Sequence, residues 1–266
     1  MVQLTPTTVR RDSAALVAPL HALAAGCAEL SAATVGTFDS DERAYRIERF
    51  IFKGPKAEHD PIRLGLFGGI HGDEPASAEA LVRFLEEAVR DPQRVKGYDL
   101  VVYPVCNPTG FEDNTRHNRA GLDLNREFWR GSAQPEIHAL EAELRAWHFD
   151  GIITLHADDT SDGLYGYAHG RVLNEALLKP ALRASAGILP LNLAALIDGF
   201  EASEAVLHRC FEGVLAAPCD QRPQPFDLIF ETPALAPNDL QVRAAVAALG
   251  AILDEYRGFI AHAQYL

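Results

Sequence analysis

Three runs of this sequence are apolar almost throughout and then stop on an ionisable residue. Arg63-Leu64-Gly65-Leu66-Phe67-Gly68-Gly69-Ile70 runs into His71. Gly151-Ile152-Ile153-Thr154-Leu155 runs into His156, and Asp227-Leu228-Ile229-Phe230 into Glu231. A strand reads this way when both faces of its sheet are covered by helices. Such sheets come from strands alternating with helices, and the remaining pattern alternates accordingly. Strands are expected over 63–69, 99–105, 150–155 and 226–230, and helices over 75–90, 135–148, 174–186 and 238–261. Pro75 suits the first turn of its helix. An earlier strand pair, 34–38 and 45–52, flanks the polar turn Asp39-Ser40-Asp41-Glu42 and would add antiparallel edge strands. The predicted architecture is α/β: a single domain with a mixed, mostly parallel sheet and helices on both faces. Sites in open sheets of this kind form at the carboxyl ends of strands. His71, His156 and Glu231, far apart in sequence, are therefore candidates to meet.

Composition narrows the partners. The chain carries 24 Lys+Arg against 37 Asp+Glu, a net charge of −13. That balance argues against nucleic-acid and anionic-membrane partners, which call for a basic face. No stretch reaches the roughly 18 apolar residues of a membrane span. Cys27, Cys106, Cys210 and Cys219 form no CxxC pair and read as buried thiols of a reducing, cytoplasmic compartment. Arg10 and Arg11 precede an Ala/Leu-rich run ending Leu23-Ala24-Ala25-Gly26-Cys27, loosely like a lipoprotein cleavage site. If the first 27 residues acted as a signal, the chain would be exported. Asp12, Pro19 and His21 interrupt the run, however, and Leu16, Leu20 and Leu23 recur at helical spacing. A helical extension over 1–32 is the preferred reading. It leaves no room for an inhibitory pro-domain.

His71-Gly72-Asp73-Glu74 crosses a strand-to-helix turn. Gly72 permits a tight backbone there, which could aim an imidazole and a carboxylate at one point. Two such ligands plus a remote His make an open three-ligand zinc site. The bland alternative is a solvated His and Glu at a helix start, where acidic residues favour the helix dipole. A phosphate turn at Gly68, Gly69 and Gly72 is discounted, because GxGxxG does not match and Asp73 and Glu74 would repel an anion.

The long loop that follows holds Asn107-Pro108-Thr109-Gly110 and then Arg116-His117-Asn118-Arg119-Ala120-Gly121-Leu122-Asp123-Leu124-Asn125-Arg126-Glu127-Phe128. Arg116, Arg119, Arg126 and Arg130 cluster there in an otherwise acidic chain. Long loops are usually functional or disordered. Leu122 and Leu124 alternate with Asp123 and Asn125, which reads as packed rather than mobile. Guanidinium groups held there could fork a substrate carboxylate or stabilise an oxyanion.

Taken in order, HxxE, NPxG, RxNxxGxDLNRxF, a strand-final His and a strand-final Glu in Phe230-Glu231-Thr232-Pro233 resemble the carboxypeptidase A-like zinc metallocarboxypeptidases. The resemblance spans about residues 34–262. Its short form is most like murein peptide amidases, and the succinylglutamate desuccinylase/aspartoacylase group is related. The resemblance implies one zinc per chain, held by His71, Glu74 and His156. It implies Glu231 as the general base acting on a zinc-bound water, Arg116 as oxyanion donor, and Asn125 and Arg126 as carboxylate binders. Asp123 would accept the free ring N–H of His71 and fix its tautomer. The family's substrate-capping tyrosine has no clear counterpart; Tyr165 and Tyr167 are the obvious aromatics. Asp158 and Asp159 read as water-facing.

The expected activity is hydrolysis of an amide or peptide bond beside a free carboxylate, on a small peptide substrate. The second reading is a deacylase of N-acyl amino acids, and Glu231-Thr232-Pro233 favours the peptidase branch over it. A non-catalytic zinc or ligand-binding protein is the third. No GxSxG, GxxxxGK[ST] or HExxH motif offers another chemistry.

Overall fold

The structure, a computed structural model, describes residues 10–58 and 60–263. The first nine residues of the expected 1–32 extension lie outside that range. The strands are β1 (Leu30–Ser40), β2 (Arg43–Lys53), β3 (Ile62–Phe67), β4 (Tyr98–Tyr103), β5 (Gly151–Asp158), β6 (Tyr165–Ala168), β7 (Leu196–Ile197), β8 (Phe200–Ser203), β9 (Val206–Leu207) and β10 (Phe226–Pro233). They form one ten-stranded sheet of order β1-β2-β4-β3-β5-β10-β6-β9-β8-β7. The middle of the sheet, β4-β3-β5-β10, is parallel, and β1, β2 and β6 add antiparallel pairings. This is the mixed sheet expected from the sequence.

Parallel strands need crossovers, which the helices α2 (Pro75–Arg90) and α4 (Pro135–Trp147) supply. A further long helix, Asn238–Ala263, follows β10. The sheet interior is apolar on both faces. Leu64, Leu66, Leu100, Val102, Ile153 and Phe230 are all within 1 % of complete burial. One face packs α2 and the helix Asn238–Ala263, while Phe67, Tyr103, Ile152 and Leu140 pack on the other.

The helix α1 (Ser13–Ala24) is the one read from Leu16, Leu20 and Leu23. Asp12, which breaks the apolar run, is its N-cap: the carboxylate accepts from Ala14 N and Ala15 N at 2.9 and 3.1 Å. Val17 and Leu20 are buried. Arg11 donates to the Gly72 carbonyl at 2.8 Å, which ties this segment to the loop carrying His71.

The arginine-rich loop is packed, as its alternation implies. It contains α3 (Pro108–Asp113) and a short turn, Leu124–Arg126, with Leu124 and Phe128 buried. The expected 174–186 helix is instead three consecutive segments, Arg171–Leu173, Asn174–Leu178 and Lys179–Ser185, the middle one a widened π turn.

Candidate metal centre

The parallel register fixes the site. Glu231 of β10 lies directly beside His156 of β5. One strand further on, β3 ends at Phe67, and the turn through Gly69 (φ +57°) carries the chain to His71. The Ser77 hydroxyl clamps this turn: it accepts from Gly69 N at 2.9 Å and donates to the Glu74 carbonyl at 2.7 Å. Gly72 faces the backbone of α3. A Cβ there would stand 1.8 Å from the Gly110 carbonyl carbon and 2.2 Å from Phe111 N. We expect Gly72→Ala to destabilise the chain by about 3 kcal/mol in urea unfolding, the upper range of overpacking. A loss below about 1 kcal/mol would show that α3 yields easily.

His71, Glu74 and His156 are 3–5 % exposed, and their donor atoms lie within 4.8 Å of one another. His71 Nδ1 and Glu74 Oε1 are 2.5 Å apart, and His156 Nδ1 and Glu74 Oε2 are 3.0 Å apart. The other nitrogen of His71, Nε2, lies 3.1 Å from Asp123 Oδ1. Carboxylates only accept, so without a metal both ring nitrogens of His71 donate, Nε2 to Asp123 and Nδ1 to Glu74; a metal would take the place of the Nδ1 proton while Nε2 keeps its own. A buried carboxylate between two imidazoles calls for positive charge at this point, which protons or a metal ion supply. The residues thus fit a metal ion: two imidazoles and a carboxylate suit zinc, and three protein ligands leave an open position.

Without a metal, protons meet that demand. Burial disfavours the imidazolium of His71, yet Glu74 and Asp123 overcome it and push its pKa up to about 9. Burial likewise opposes ionisation of Glu74, but His71 and His156 hold it well below the usual carboxylate range. Glu231 is the reverse case. Burial, reinforced by the charges of Glu74 and Asp158, pushes its carboxyl well above the ordinary value. A carboxyl with a raised proton affinity beside a metal-ligand group is suited to receive and return a proton.

All three ligand candidates and Glu231 open onto one cavity of about 440 Å³, together with Arg116, Asn125 and Arg126. Arg116 is held against Asp123 at 3.0–3.1 Å and stands 3.7 Å from Glu74 Oε1. Arg126 stacks over the Phe211 ring at 4.1 Å. Asn125 is more enclosed. Its Oδ1 accepts from Leu215 N at 2.8 Å and its Nδ2 lies 3.5 Å from His156 Nε2. Asp123 touches both His71 and Arg116, and burial alone would raise its pKa, but those cations bring it down.

Sequence reasoning missed several wall residues. Asp198, Phe200, Leu207 and Phe211 line the cavity from the β7–β9 region, which carries no periodic signal. Tyr165 and Tyr167 also line it, from β6, which pairs with β10. Asp158 does not simply face water: it is half-buried and accepts from the Tyr165 hydroxyl at 2.9 Å. Asp159 is exposed, as expected.

Residues 61–175 match the succinylglutamate desuccinylase/aspartoacylase catalytic domain family. The chain is 33 % identical over 105 residues to carboxypeptidase SOL1 of Arabidopsis thaliana, a match covering 34 % of this chain and 21 % of that relative's length. In three dimensions it is similar to a presumed metallopeptidase of Shewanella baltica, at a TM-score of 0.72 and 24 % identity over 90 % of each chain. It is also similar to a metallo-carboxypeptidase of Pseudomonas aeruginosa solved with (2-guanidinoethylmercapto)succinic acid. There the TM-score is 0.63 and the identity 19 %, covering 90 % of this chain and 68 % of that one. The chain has the metallo-carboxypeptidase fold. The resemblance read from its motifs is borne out. Within this metallo-carboxypeptidase fold, the His-Glu-His group stands at the carboxyl edge of the sheet and could hold one metal ion.

Proposed function

We propose that this chain is a zinc-dependent hydrolase that cleaves an amide or peptide bond beside a free carboxylate, of the carboxypeptidase or murein-peptide amidase type. The observation that carries this reading is the convergence on one cavity of a buried His-Glu-His group, Glu231 beside it in the strand register, and two arginines. In this reading His71, Glu74 and His156 hold the zinc. When bound, zinc supplies Lewis acidity toward a carbonyl and acidifies a water.

The chain's own residues do the rest. Glu231 takes a proton from the attacking water and returns it to the leaving nitrogen. Arg116 donates to the oxygen that becomes negative. Arg126, aided by Asn125, holds the substrate carboxylate so that the scissile bond lies over the ligand group. Asp123 anchors His71 and Arg116 together and fixes the ring tautomer. The substrate is a small peptide, and the chain acts as one catalytic domain in the cytoplasm. Among the described residues, no helix is long and apolar enough to cross a membrane.

The second reading, a deacylase of N-acyl amino acids, draws support from the family match over residues 61–175. Assays on zinc-loaded protein separate the two. We expect turnover of short peptides and D-Glu-containing muropeptides, with acetyl- and succinyl-amino acids inert. The opposite ranking would establish the deacylase.

A further inference from the structure

The turn that carries two of the candidate metal ligands is tied to the N-terminal arm, residues 10–24. Only Gly72 and Asp73 lie between His71 and Glu74, so a rotation of the Gly72 peptide moves both ligands. The Ser77 hydroxyl holds this turn at Gly69 and Glu74, and Gly110 of α3 backs Gly72. The Gly72 carbonyl itself is held by Arg11, whose Nη1 donates to it at 2.8 Å. A guanidinium donor makes this a charge-assisted hydrogen bond.

Arg11 is placed for that contact by the whole arm. Its backbone N–H donates to the Glu112 carbonyl at 3.2 Å, and its guanidinium lies over the Phe111 ring, 5.5 Å from the centroid. The carboxylates of Asp73 and Glu79 favour the cation there. Next to it, Arg10 pairs with Asp113 at 2.9 Å, and the Ser13 hydroxyl donates to Glu112 Oε1 at 3.4 Å. Further along, Leu16 packs on the cluster of Ala78, Val105 and Phe111. The arm is therefore seated on α2, which begins one residue after Glu74, and on α3, which backs Gly72.

We propose that Arg11 is a positioning residue of the metal centre: through the Gly72 carbonyl it fixes the His71–Glu74 turn in the geometry that ligates the ion. Arg11 does not line the cavity, so its effect passes through the turn and not through substrate. Metal sites tolerate donor displacements of only about 0.2 Å. Groups that orient ligands from outside are typically worth about 10–100-fold in metal affinity. The inference rests on the reading of His71, Glu74 and His156 as zinc ligands, and it is independent of which bond the site cleaves.

The test measures zinc affinity of the full chain by competition with a chromogenic chelator, with folding of each variant checked by circular dichroism. Arg11→Met keeps an apolar stem over Phe111 but has no donor; Arg11→Ala removes both. Arg11→Lys keeps a cationic donor. Arg10→Ala loosens the same arm at Asp113, away from the ligand turn. The expected result is zinc binding weakened about 10-fold or more in Arg11→Met and Arg11→Ala, with most of the loss recovered in Arg11→Lys. Arg10→Ala should stay within about twofold of wild type. A folded Arg11→Met or Arg11→Ala protein with wild-type affinity overturns the inference. So does an Arg10→Ala loss as large as that of Arg11→Ala, which would assign the effect to general seating of the arm. A wild type that binds no zinc overturns the metal reading and this inference together, whereas equal zinc binding in all the variants overturns this inference alone.

Discussion

Replacing Glu231 with Gln is expected to lower kcat by about 10³-fold while the protein keeps its zinc. The amide has the size of the carboxyl but cannot accept a proton at neutral pH. Glu231 is adjacent to His156 across the β5–β10 register, so it borders the ligand group without belonging to it. Its charge is also costly where it stands, because burial and the carboxylates of Glu74 and Asp158 all oppose it. Gln removes that repulsion, so the variant should be no less stable than wild type. The pairing of lost turnover with retained metal and retained stability is the signature of a proton-transfer group. A variant with wild-type kcat would remove Glu231 from the mechanism and leave the metal group intact. A variant that lost its zinc would make Glu231 a ligand instead.

Arg116→Ala is expected to reduce kcat by about 10²–10³-fold, with a smaller change in KM. The reason is geometric. Arg116 is fixed by Asp123 on one side and stands 3.7 Å from Glu74 on the other, so its remaining donors face the cavity beside the ligand group. A donor held in advance at that point stabilises charge that develops only as the carbonyl is attacked. Arg126→Ala should divide differently, raising KM more than it lowers kcat, because in the proposed function Arg126 holds a carboxylate that is charged throughout. Steady-state kinetics on one peptide substrate separate the two. Equal effects on kcat and KM in both variants would mean that the arginines share a single binding role.

The parts legible in the sequence are those that burial on both faces of a sheet imposes. Leu64–Phe67 and Ile152–Leu155 must be apolar to lie inside, so His71 and His156 stand out as the positions where that constraint ends. Glu231 stands out for the same reason at the end of β10. The HxxE spacing and the DLNR run add residue types that chemistry requires, and they fall on one cavity. What was illegible is set by contacts distant in sequence. Strands β7, β8 and β9 have two to four residues each, too short for any period to register. Asp158 looks like a solvated loop acid until β6 brings Tyr165 against it. Asp227, the second residue of β10, reads as an ordinary polar strand start, yet the loop through Ala217 and the walls at Tyr167, His169 and Cys210 surround it. The widened turn at Asn174–Leu178 has no counterpart in the helical pattern that predicts one continuous helix.

The central claim is that His71, Glu74 and His156 hold one metal ion. Its most direct test is elemental analysis of the purified, zinc-supplemented chain beside His71→Ala. The account predicts about one zinc per chain in the wild type and none in a folded His71→Ala variant. A folded wild type without zinc would contradict it, and the buried His-Glu-His group would then be a proton-sharing cluster at the sheet edge.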